Sequence, residues 1–147
     1  MPTDPANRLS RFLLFSKEFG QNAQGWFVKP RAFDIRMNED PVVNRLEFSV
    51  CDTDNCGHHE LMTDGTIVAS GRGRELRGWF HVGKTLLPAL ELSWVHTPIE
   101  AKDGKPALSS HSDIIGWPQS EAGRIKTIAR LIQLCDDITM LPEAPNS

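Results

Sequence analysis

Two runs of alternating residues joined by a short polar turn constrain this chain more than any other feature in it. Phe33, Ile35 and Met37 alternate with Ala32, Asp34 and Arg36. After Asn38-Glu39-Asp40-Pro41, Leu46, Phe48 and Val50 alternate with Arg45, Glu47 and Ser49. Successive side chains of a strand point to opposite faces, so a period of two gives each run one apolar face. Two such runs with Asn, Asp and Pro between them read as a β-hairpin.

The same reasoning extends along the chain. Strands are expected at Thr66–Ser70, Leu76–Val82 and Ala89–Thr97, where Leu90, Leu92 and Trp94 line one face. The polar stretches Asp52–Gly65 and Pro98–Ser112 read as loops. Asp4-Pro5 suits a helix start, and Leu9, Phe12, Leu13 and Phe19 recur at helical spacing before Gly20. Pro5–Phe19 is therefore expected to be an amphipathic helix, although Phe12–Phe15 also fits a buried strand. A closing helix should begin near Ser120-Glu121 and end before Pro142, with Ile125, Ile128, Ala129, Ile132 and Cys135 on one face. The expected fold is a single α+β domain over residues 1–141. It has a twisted antiparallel sheet of five to six strands, or a half-barrel, flanked by an N-terminal and a C-terminal helix. Residues 142–147 are expected to fray.

A chain of 147 residues is long enough to bury one core without disulfides or metal. With 39% hydrophobic and 24% charged residues it belongs with globular rather than disordered proteins. No apolar run approaches the ~20 residues that cross a bilayer, and Phe12–Phe15 is too short for the core of a signal peptide. No membrane partner is expected. Three cysteines cannot form a complete disulfide framework, which points to a reducing, cytoplasmic setting.

Gly78-Trp79-Phe80-His81-Val82-Gly83-Lys84-Thr85 matches the phosphate-loop pattern G-x-x-x-x-G-K-[ST]. The context argues against that chemistry. Bulky side chains between the glycines would crowd the curl of N–H groups around a phosphate, and Pro88 disfavours the helix that should follow. A strand ended by a Gly-Lys turn fits better. No nucleophile elbow, recognisable Cys–His pairing or distinctive carboxylate pair appears either, so an enzyme is not expected.

Charge is segregated: residues 1–33 carry a net +3, 34–64 a net −6 and 65–84 a net +3. The leading expectation is a small non-enzymatic binding protein, an inhibitor or adaptor that docks on another protein. Its acidic segment, with Glu39, Asp40, Asp52 and Asp54, would steer a basic partner. An inhibitor of the kind encoded by phages or mobile elements would suit the size and the lack of motifs. One alternative is single-stranded nucleic-acid binding, in which Arg72, Arg74, Arg77 and Lys84 pair with phosphates and Trp79 stacks on a base. The other is a zinc loop built from Cys51, Cys56, His58 and His59, whose thiolates and imidazoles suit the ion. Its single Cys-x₄-Cys pair lacks the usual second pair on another element. Asp52-Thr53-Asp54-Asn55-Cys56-Gly57 begins like a calcium loop but has Thr63 where the bidentate glutamate belongs, and is rejected.

Overall fold

The computed structural model describes residues 4–135 and 137–142; of the tail expected to fray, 143–147 lie outside the described residues. In chain order the elements begin with strand β1 (Arg8–Leu13), a hairpin of β2 (Phe19–Asn22) and β3 (Gly25–Val28), β4 (Arg36–Met37) and β5 (Leu46–Asp52). Helix α1 (His58–Gly71) and β6 (Gly78–Gly83) follow. The chain continues through β7 (Ser93–His96), β8 (His111–Ile115), helix α2 (Glu121–Leu134) and β9 (Ile138–Met140). Short 3-10 turns fill several connections, at Ser16–Glu18, Pro30–Ala32, Lys84–Leu86 and Pro88–Leu90. The main sheet is antiparallel, in the order β7-β8-β5-β1-β6-β9 with β4 added to β5, and curls into a half-barrel. This is the expected α+β class. No helix among the described residues is long and apolar enough to cross a membrane.

The sheet is covered on both faces. Leu9, Leu13, Phe48, Val50, Phe80, Val82 and Ile114 point to one side, where Phe19, Val28, Phe33, Trp117 and Leu131 of α2 close over them. Phe12, Cys51 and Trp79 point to the other, against Leu61 and Ala69 of α1 and Leu108. Two-sided burial explains why the N-terminal helix is replaced by β1. Leu9 and Leu13 are four apart, which means one face in a helix and also one face in a strand. Phe12 and Leu14 are then apolar because the opposite face is buried too. Asp4-Pro5 starts only a turn, in which the Asp4 side chain accepts from the Ala6 amide at 2.9 Å.

A second correction concerns residues 58–71. The loop expected to Gly65 and the strand expected at Thr66–Ser70 are one helix. Leu61, Gly65 and Ala69, four residues apart, face the sheet. The β-branched run Thr66-Ile67-Val68 favours a strand locally, and packing overrides it. At the C-terminal end, α2 starts as expected, with the Ser120 hydroxyl accepting from the Gly123 amide at 3.0 Å. It stops at Leu134, and Ile138–Met140 becomes an edge strand on β6. Ile125 and Ala129 are exposed, while Ile128, Leu131, Ile132 and Cys135 make the buried stripe. The expected hairpin is present as β4 and β5, in the register Arg36↔Glu47 and Met37↔Leu46. Ala89–Thr97 is extended only from Ser93, because Glu91 takes a left-handed conformation at φ 60°.

Gly65 brings α1 down onto β1: a methyl group there would lie 2.7 Å from Leu76 Cδ2 and 2.8 Å from Phe12 Cδ1. At Gly71 it would meet nothing within 4 Å. Alanine is intrinsically the better helix former at both sites, so the difference between the two variants isolates packing. Gly65→Ala is expected to lose ~1–3 kcal/mol in urea denaturation, whereas Gly71→Ala should be neutral or gain up to ~1 kcal/mol. Equal midpoints would mean that α1 does not approach the sheet this closely.

Candidate ligand cleft

The phosphate-loop pattern folds as a strand and a turn. Trp79, Phe80, His81 and Val82 alternate across β6 and all are buried. Lys84 leaves the strand, and its ammonium is held by Asp52 (3.0 Å to each oxygen) and Asp54 (2.8 Å), 4.3 Å from the centre of the Trp94 ring. Arg8 joins the cluster: its amide donates to Asp54 at 2.7 Å, and its guanidinium donates to the Thr53 and Cys56 carbonyls. Burial alone would raise the Asp54 carboxyl, but hydrogen bonds from Lys84 and the Arg8 amide hold it below the usual carboxylate range. The acids Asp52 and Asp54 and the base Lys84, assigned by sequence to different surfaces, thus engage one another. Glu39 and Asp40 are exposed at the β4–β5 turn.

The nucleic-acid candidates are dispersed. Trp79 is 2% exposed and meets Phe12 edge-on, so it is not available to stack on a base. Arg74 lies 4.3 Å over the Phe15 ring and Arg77 lies 5.3 Å over Phe19, while Arg72 lines a cleft described below. The exposed aromatics are instead Trp26 and Phe27, on the β2–β3 hairpin.

Of the zinc candidates, Cys51 and Cys56 share the core cluster beneath α1. Cys51 is buried on the strand side of α1, and desolvation pushes its thiol up to about 12. The His58 ring packs edge-on against Trp79 at 5.3 Å, and His59 is exposed. Among the described residues, no three His, Cys, Asp or Glu side chains are grouped to hold a metal ion.

Two arrangements have no counterpart in the sequence reading. The first is a buried polar trio: Ser10 Oγ lies 2.6 Å from His81 Nδ1 and is hydrogen-bonded to the Thr53 hydroxyl. Ser10 and His81 are cross-strand partners between β1 and β6. Desolvation, helped by the nearby Arg8 charge and opposed by Asp137, lowers the His81 imidazole to about 4. It is therefore neutral at physiological pH. A nucleophile–base pair would look similar, but all three side chains are buried and satisfy one another, which fits cross-strand adhesion better than proton transfer to a substrate.

The second is a cleft of about 1310 Å³. Strands β1 and β5 pair only at Leu9↔Asp52 and Ser10↔Cys51, then diverge. The last two turns of α1 form one wall, the loop through Lys102–Lys105 the other, and the diverging strands the floor. Four basic side chains line it (Arg11, Arg72, Lys102 and Lys105) against two acidic ones, Glu100 and Asp103. Arg11 spans the parting: its Nη1 donates to the Ser49 carbonyl at 2.8 Å, and its guanidinium lies 4.8 Å from the centre of the Phe48 ring. The sequence did carry a signal for it, since Arg11 is the one charged residue within the apolar run Leu9–Phe15.

No family profile, no curated protein and no solved structure matches this chain.

The His81 shift has a definite sign. Unfolded, the imidazole titrates near 6.5; folded, near 4. Between those values the unfolded chain binds the extra proton, so the stability that neutral His81 contributes is full above pH 6.5 and is lost as pH falls toward 4. The full difference corresponds to about 3 kcal/mol. His81→Gln is expected to be less stable than the parent at pH 7 but to lose less on acidification from pH 7 to 4.5, measured by urea melts. Parallel pH profiles for the two proteins would contradict the assignment.

Proposed function

We propose that this chain is a non-enzymatic binding protein and that its ligand site is the cleft between α1 and the Lys102–Lys105 loop. The observation that carries the reading is the parting of β1 and β5 beneath an open cavity of about 1310 Å³. Antiparallel neighbours normally continue their ladder, and a gap in mid-sheet walled by a helix and a loop leaves a concave, partly apolar surface with a few polar groups aimed into it. Such surfaces are the usual form of a ligand site. The volume accommodates a small organic molecule or a short segment of a partner protein.

Binding fits this cleft better than catalysis. The thiol on its floor, Cys51, is held protonated by burial, and a nucleophile must be the thiolate. The hydroxyl on its floor, Ser10, is engaged by His81 and Thr53. Charge favours the cleft over the acidic segment as the docking feature, since Asp52 and Asp54 are both engaged by Lys84 within the molecule. An inhibitor or adaptor built this way would act by taking a group of its partner into the cleft.

Ser70 is exposed and lines the cleft from α1, so Ser70→Trp should fill the cavity without disturbing the core. Thermal-shift screening of the intact chain against a panel of small organic acids, phosphates and short peptides is expected to yield stabilising compounds. Each should slow amide exchange at residues 66–72 and 99–108, and S70W should lose the effect at an unchanged melting temperature. Ligands that protect only other regions, or that stabilise S70W equally, would overturn the proposal.

A further inference from the structure

Arg11 holds a positive charge inside the sheet, and no carboxylate among the described residues pairs with it. Its side chain is 6% exposed, with Nη1 on the Ser49 carbonyl and Nε buried without a hydrogen-bond partner. The acids that could pair with it are engaged: Glu18 accepts from the Leu14 and Phe15 amides at 2.8 and 2.9 Å, and Asp34 pairs with Arg36 at 2.8 Å. The carbonyl end of α1 lines the same cleft and favours cations, but none of its carbonyls accepts from Arg11. Desolvation and the neighbouring Arg72 charge lower Arg11 to about 10, so it remains a cation at neutral pH.

A buried charge is costly unless something compensates it. Here a second guanidinium, Arg72, lies close by and lines the same cavity; the acids beside both, Asp34, Glu47 and Asp113, are engaged by Arg36, by Arg45 and by the Thr97 hydroxyl. The fork of N–H donors on each guanidinium matches the oxygens of phosphate, and two cations balance a dianion. From this geometry we infer that the cleft binds ligands bearing a phosphate monoester, with Arg11 and Arg72 holding the phosphate oxygens. The inference rests on the cleft being the binding site and names the chemistry it selects. Arg11 is the specificity residue: its Nε is a buried donor for which the described residues supply no acceptor.

Calorimetric titration of the intact chain in low-salt, phosphate-free buffer tests this, with phenyl phosphate, inorganic phosphate and benzoate as probes. Phenyl phosphate should bind, benzoate at least tenfold more weakly, and Arg11→Met and Arg72→Gln should each weaken phenyl phosphate at least tenfold. Binding of inorganic phosphate alone, with no gain from the phenyl ester, would reduce the site to a bare anion trap and refute a ligand-bearing phosphate. A melting experiment separates recognition from bracing. If Arg11 is there for a ligand, R11M in phosphate-free buffer should melt no lower than the parent, and phenyl phosphate should raise the melting temperature of the parent only. If R11M melts far lower while phosphate leaves the parent unchanged, Arg11 is a structural brace and the inference fails. Should R11M not fold, the parent titration and R72Q, altered at an exposed position, decide it. Should no phosphate bind while S70W still blocks other ligands of the cleft, this inference falls and the binding site stands; if the cleft binds nothing, both fall.

Discussion

Strand β1 runs through the middle of an antiparallel sheet that is buried on both faces, and the rest of the structure answers to that placement. Leu9 and Leu13 enter one core while Phe12 and Leu14 enter the other. No side of the strand is left for water, so every polar group on it must find a partner inside the protein. Ser10 finds His81 and Thr53; the amides that follow the strand, at Leu14 and Phe15, find the Glu18 carboxylate. Arg11 is only partly provided for, and at Arg11 the pairing with β5 has already ended. The bulk and charge of one side chain thus coincide with the parting of two strands, and the cleft lies over that parting.

The charge pattern resolves in a similar way. Along the chain the blocks alternate in sign, a pattern that suggests surfaces displayed to partners. In the fold, much of it is internal complementarity. Asp52 and Asp54 come from the acidic block, Lys84 from the second basic block and Arg8 from the first, and they meet in one cluster beside Trp94. Lys84 is the lysine of the phosphate-loop pattern. A lysine with two carboxylates has no charge to spare for a phosphate, whereas Arg11 and Arg72, in no ion pair among the described residues, line the cleft.

Local pattern was readable wherever one period alone fits. The β4–β5 hairpin and β6 carry such patterns, and the start of α2 carries a capping serine; all three appear, although β4 keeps only Arg36–Met37 of the expected run. Helix α1 was hidden because it shows the sheet only a narrow stripe, Leu61, Gly65 and Ala69, two of which are small. Its β-branched run points the other way. For the candidate site, residue types were legible but their company was not. Trp79 and Phe80, adjacent in a strand, face opposite sides, yet both are buried because both sides are core.

The sequence by itself determined the α+β class, the antiparallel hairpin and the strand ended by a turn at Gly78–Thr85. Each follows from interactions within a few residues: side-chain alternation, turn chemistry, and the bulk of Trp and Phe between two glycines. Tertiary structure alone decided that β1 is a strand, that Lys84 belongs to Asp52 and Asp54, and that Arg11 and Arg72 line one cleft. Those outcomes depend on which segments, dozens of residues apart, lie on the second face of the sheet. A one-dimensional pattern records whether a residue is apolar, but not how many sides of its strand are covered.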